Sequence, residues 1–144
     1  MILLKLGANP NTNGLGDQNS LHFAAKSGVG HEIMKELIER GAEINVVTDD
    51  KNETPLFYAT RYDYHESIEI LLDYGADVNV ANTGGWTALY NATSMNCAGR
   101  KYSVAKLLAH GANVDGTRER GKNSTPLHHA FHNGSESKEI VRIL

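Results

Sequence analysis

A chain of 144 residues is long enough for one ordinary domain and too short for two comfortable ones. With 40% hydrophobic and 22% charged residues it has the balance of a folded globular chain, and a formal net charge of -3 argues against nucleic acid as the partner. One cysteine cannot close an intrachain disulfide and no apolar run approaches the ~20 residues of a membrane span, so a reducing, cytoplasmic or nuclear setting away from membranes is expected.

Taken in chain order, Met1-Ile2-Leu3-Leu4 opens like a leader, but Lys5 and Gly7 cut the run short. Leu3-Leu4-Lys5-Leu6-Gly7-Ala8-Asn9 reads instead as the tail of a helix stopped by glycine. Asn19-Ser20-Leu21-His22-Phe23-Ala24 then starts a new helix. A second follows, with apolar Ile33, Met34, Leu37 and Ile38 at helical spacing, and stops at Gly41. Thr54-Pro55-Leu56-Phe57-Tyr58-Ala59 starts the next pair, whose second helix carries Ile68, Leu71 and Leu72 and ends at Gly75. Thr87-Ala88-Leu89-Tyr90-Asn91-Ala92 starts a third pair, ending after Leu107-Leu108 at Gly111. Thr125-Pro126-Leu127-His128-His129-Ala130 starts a fourth, followed by Ile140, Val141, Ile143 and Leu144. The stopping glycines Gly7, Gly41, Gly75 and Gly111 lie 34, 34 and 36 residues apart.

Each part has a physical reason. Thr54 and Thr125 can cap a helix, and Pro55 and Pro126 suit its first position. Ser20 and Ala88 replace that proline and should weaken the two helix starts. Ala24, Ala59, Ala92 and Ala130 let neighbouring helices approach closely. A glycine after the second helix takes the left-handed conformation at little cost. Leu21, Leu56, Leu89 and Leu127 are expected to align as one buried ladder, and Leu37, Leu71 and Leu107 as another.

The two interleaved motifs resemble the ankyrin repeat, whose Thr-Pro-Leu-His-x-Ala signature recurs about every 33 residues, and the resemblance covers the whole chain. It implies an all-α solenoid of stacked helix-turn-helix units with β-hairpin turns. The units are a partial repeat at 1–13 and repeats at about 14–47, 48–81, 82–116 and 117–144, together a segment of a longer array. Extra residues fall in loops, where they cost little: before Thr54, before Thr125, between Ser94 and Tyr102, and around residues 134–138. Neither end shows the polar face of a capping repeat, so a monomer or a weak end-to-end association is expected.

The resemblance implies a non-enzymatic scaffold or adaptor, with no cofactor, that binds a protein through hairpin tips and the concave face of the inner helices. The alternative is a targeting or regulatory segment of a larger enzyme, channel or pathogen effector. Hairpin positions are Leu15, Gln18, Asp50, Lys51, Glu53, Thr83, Trp86, Arg118, Arg120 and Lys122. Inner-helix positions are Lys26, Ser27, Arg61, Tyr62, Ser94, Met95, His132 and Asn133. Tyr64 and Tyr102, near the loops between helices, could widen the surface. Trp86 stands out, because tryptophan, tyrosine and arginine dominate interface hot spots; it can equally pack on its own turn.

Other chemistry is outweighed. His129 and His132 share a helix face in a zinc-like pattern, but His128, like His22, falls where ankyrin units place a histidine that bonds to backbone in the adjoining turn. Cys97 lies beside Arg100 and Lys101, which favour a thiolate, yet nothing around it resembles a catalytic motif. Gly14-x-Gly16 and Gly84-Gly85 have no preceding strand and no following lysine, so they read as turns rather than phosphate loops. The mixed charges of residues 118–122 read as a solvated tip. In some family members the asparagine at the position of Asn45 and Asn79 is hydroxylated, which would make this chain a substrate.

Overall fold

Helix starts and stops follow the side chains that can close them. A computed structural model describes residues 7–14, 18–94, 100–115, 125–132, 140 and 142, with backbone alone at 131 and 132. Among these residues the helices are α1 Ser20–Ser27, α2 His31–Glu39, α3 Pro55–Arg61, α4 His65–Asp73, α5 Ala88–Ser94, α6 Arg100–Ala109 and α7 Pro126–His132.

Thr54 caps α3 by accepting from Phe57 N at 3.1 Å, with Pro55 in the first turn. Thr87 does the same for α5 through Tyr90 N at 3.3 Å. The start of α1 lacks proline, yet it is held firmly. Asn19 Oδ1 accepts from Leu21 N at 3.1 Å and His22 N at 3.2 Å, while Asn19 N donates back to His22 Nδ1. This is a capping box in which histidine takes the place of glutamate. The outer helices end as expected. Gly41, Gly75 and Gly111 have φ of 85°, 87° and 84°. Behind them Ala42, Ala76 and Ala112 donate to the carbonyls of Leu37, Leu71 and Leu107 at 2.9–3.0 Å, a Schellman closure.

The helices stack in two rows. The inner row is α1, α3, α5 and α7, the outer row is α2, α4 and α6, and each outer helix packs on the inner helix before it. The link from α5 to α6 is the long one. Arg100 bridges it from a position 1% exposed, donating through Nη1 to the carbonyls of Asn91 at 2.7 Å and Ala92 at 3.0 Å. A cation thereby sits at the carbonyl end of α5, where the helix dipole favours it.

The core lies between the rows. Leu21, Leu56 and Leu89 are at most 1% exposed, as are Leu37, Leu71 and Leu107, and Ala24, Ala59, Ala92 and Ala130 are buried beside them. One core expectation is corrected, and one apolar residue of the outer row lies off the core. Leu127 is 40% exposed, because among the described residues α7 packs on α5 alone, whereas α1, at the other end of the inner row, has the outer helix α2 against it as well. Ile33 is 47% exposed, because it sits one residue before Met34 and so about 100° off the face that Met34 and Leu37 bury.

The expected β-hairpins appear as turns: among the described residues there is one isolated bridge, Asn13 to Asn19, and no strand. Their arms are too short for a ladder, and side chains close them instead. Asn82 Oδ1 accepts from Gly84 N at 2.9 Å and Trp86 N at 3.0 Å. Adjacent tips are joined, with Thr83 N donating to Lys51 O at 2.9 Å and Asn52 Nδ2 to Ala81 O at 2.8 Å.

In the turns that follow the outer helices, asparagines tie unit to unit. Asn11 donates to Gly41 O at 2.9 Å and accepts from Glu43 N at 2.8 Å. Asn79 repeats this with Gly111 O at 3.1 Å and Asn113 N at 2.8 Å. Asn45 makes the accepting bond, from Asp77 N at 2.9 Å.

Candidate interaction surface

The hairpin turns and the inner row bring two polar clusters to one side. The first joins the unit of α1 to the unit of α3. Lys26 Nζ donates to Gln18 Oε1 at 2.6 Å, and Gln18 Nε2 donates to the Tyr58 hydroxyl at 3.1 Å. Arg61 grips Glu53 with two bonds, Nη2 to Oε1 at 2.5 Å and Nη1 to Oε2 at 3.2 Å. The second cluster is aromatic. Trp86 stacks on Tyr90 at 5.3 Å between ring centroids and 8° between planes, and the Tyr90 hydroxyl meets His129 Nε2 at 2.8 Å.

The residues singled out from sequence sort accordingly. Gln18, Lys26 and Arg61 come together, and Thr83 and Lys51 meet through backbone at exposed tips. Tyr62 is 48% exposed and stacks on Tyr64 at 5.8 Å. Glu53 is corrected from an exposed tip residue to one 2% exposed, because Arg61, eight positions on, draws its carboxylate inward. Trp86 is half-buried, resting on Gly84 and Tyr90. Ser27 and Ser94 turn back to bond Ala24 O and Asn91 O in their own helices. Tyr102 lies in the outer row, its hydroxyl donating to Glu69, which also pairs with Lys106 at 2.6 Å. Leu15, Met95, Cys97, Arg118, Arg120, Lys122 and Asn133 lie outside the described residues, as does the side chain of His132.

Tyr58, Tyr90 and Phe23 were not singled out from sequence, yet Tyr58 and Tyr90 carry these clusters and the Phe23 ring lies 4.2 Å from Lys26 Nζ. Tyr58 and Tyr90 act across units, at separations of about forty residues that helical spacing does not reveal. Their signal was an aromatic within the first turn and a half after Thr54 and Thr87. Burial first, then the Glu53 carboxylate, pushes the Tyr58 phenol up to about 12, so it stays protonated at any physiological pH.

His22 occupies the slot expected of it. Fully buried, its Nε2 lies 3.0 Å from the carbonyl of Glu53 in the adjoining turn. His128, in the same slot of the last unit, bonds Thr125 through Nδ1. Burial holds the His22 pKa below its ordinary 6.5, partly offset by the Glu53 carbonyl. The sign follows: the unfolded chain takes up a proton that the folded one resists, so this contribution to stability is full above pH 6.5 and is lost as the pH falls below it. Melting curves from about pH 8 to about pH 5 should show a downward trend that is shallower in His22→Gln. Equal slopes in both proteins would remove His22 as the cause.

No described helix is long and apolar enough to cross a membrane, and no cluster of three or more metal-ligating side chains occurs among the described residues.

Comparison with known proteins agrees with this architecture. The chain is 37% identical over 116 residues to ankyrin repeat protein FPV031 of fowlpox virus (strain NVSL), covering 79% of the chain and 33% of that protein. It is 34% identical over 141 residues to the human transient receptor potential cation channel subfamily A member 1, covering 92% of the chain and 12% of the channel. It is 30% identical over 125 residues to the mouse B-cell lymphoma 3 protein homolog, covering 87% and 25% respectively. The chain thus spans a third or less of the length of each of these relatives. The family profile described as ankyrin repeats (3 copies) matches residues 1–82 and again 21–118, and the chain belongs to the ankyrin repeat family.

Proposed function

We propose that this chain is a non-catalytic protein-interaction module, a scaffold or adaptor of the cytoplasm or nucleus, that binds its partner through the hairpin tips and the concave face of the inner row. Ankyrin repeats are generally protein-interaction modules. The observation that carries the reading is the gathering of Gln18, Lys26, Arg61, Trp86 and Tyr90 on the hairpin turns and inner helices of successive units, held there by contacts within and between units. Side chains fixed in advance lose less entropy on binding, and aromatic and arginine anchors give the largest effects.

Affinity capture with the wild-type chain, Trp86→Ala and the outer-helix control Glu32→Ala tests this. Trp86→Ala should weaken capture of the partner by about 2 kcal/mol or more, whereas Glu32→Ala, on an 84% exposed side chain of the outer row, should leave it unchanged. The reverse pattern would place the partner on the outer row.

A second reading is supported by the share of each relative that the chain covers. A segment matching 12% of a channel and 33% of a viral protein fits a targeting or regulatory part of a larger polypeptide.

A further inference from the structure

The charges around Tyr58 are arranged asymmetrically. Lys26 reaches its hydroxyl end through Gln18, and the Arg61 guanidinium lies 5.3 Å over its ring and 5.0 Å over that of Phe57. Two cations from successive units therefore converge on one buried phenol. Their counter-charge is turned inward: Glu53 is 2% exposed, while the Arg61 side chain is 27% exposed and Lys26 is half-exposed. Lys26 bonds a neutral amide, not a carboxylate. Each cation has N–H donors beyond the bonds it already makes. The other carboxylate felt by Tyr58 is that of Asp50, out on an exposed hairpin tip. Beside Lys26 lies an apolar platform, Phe23, 41% exposed with its ring 4.2 Å from Nζ.

We infer that this patch docks an acidic peptide segment of a protein partner, whose carboxylates pair with Lys26 and Arg61 while an apolar side chain covers Phe23. The inference rests on the reading of the inner-row face as the interaction surface and names the chemistry of what it takes. Charge complementarity selects the occupant, because the positive groups face outward and their carboxylate is sealed behind them. A nucleic acid offers the same sign of charge, but its affinity grows with the number of phosphates neutralised, and this patch presents two cations. Glu53 is then a positioning residue: it does not meet the partner but, by holding Nη1 and Nη2, fixes the guanidinium plane and leaves the Nε edge of Arg61 to donate to a partner carboxylate.

Random-peptide display against the immobilised chain, followed by fluorescence-anisotropy titration of the enriched peptides, tests this. The expected result is a set rich in aspartate and glutamate beside an apolar residue. Their affinity should fall about tenfold or more in Lys26→Gln, and again in the paired substitution Glu53→Gln with Arg61→Gln, which strands no buried charge. Thermal melts of each variant establish that it is folded. Neutral or basic enriched peptides, or displacement of acidic ones by transfer RNA at equal charge concentration, would overturn the inference. So would peptides sensitive to Trp86→Ala but indifferent to Lys26 and Arg61, an outcome that leaves the interaction reading standing. Peptides indifferent to all these substitutions, or no enrichment, would remove both.

Discussion

Leu71→Ala should lower the unfolding free energy by about 2–5 kcal/mol, the range for truncating a fully buried leucine. Leu71 is 0% exposed in α4, the middle helix of the outer row, with a helix packed on either side. Its carbonyl also closes the helix end by accepting from Ala76 N at 2.9 Å. The hole left by truncation lies between two junctions, neither of which can close over it without parting from its own neighbour. Denaturant unfolding measures the loss, with an unchanged slope showing that the native state keeps its compactness. Leu127→Ala is the comparison: at 40% exposure it should cost clearly less. A Leu71 value under about 1 kcal/mol would mean that the leucine does not hold the core position described.

The second large effect comes from the ion pair between Glu53 and Arg61, within one unit. Arg61→Met should cost about 3 kcal/mol, because it leaves the Glu53 carboxylate, 2% exposed, without its cation. The effect stands at the low end for a buried pair, since the arginine side chain is itself 27% exposed and water can enter where it stood. Glu53→Gln together with Arg61→Met should recover much of the loss, so the cycle of singles and double yields a coupling of about 0.5–3 kcal/mol. If Arg61→Met costs less than about 0.5 kcal/mol, the carboxylate reaches water by another route and the pair does not organise the surface.

The framework of the fold was legible in the sequence because it repeats. Gly41, Gly75 and Gly111 recur with the leucines before them, and the register they set places Leu37, Leu71 and Leu107 in the core. Periodicity is silent on whatever differs between units. It placed Leu127 with its counterparts, although burial needs an outer helix against the inner one as well as the right residue. It treated Glu53 as a tip residue like Gln18 and Trp86, whereas the arginine eight positions later, across a turn and two turns of helix, folds it inward. Proline-less helix starts looked weak until Asn19 and His22 were seen to cap one reciprocally. The links from Gln18 to Tyr58 and from Tyr90 to His129 run between units, and one-unit patterns cannot show which side chains will meet there.

The asparagine ties have a mechanical consequence. Each runs from one unit to the next, so a pull along the array loads the junctions in series, and the yield point is set by the weakest of them rather than by their sum. Asn11 and Asn79 each fasten their junction with two such bonds, while Asn45 fastens its own with one. Among these ties the single bond yields first, between the unit ending at Gly41 and the unit ending at Gly75.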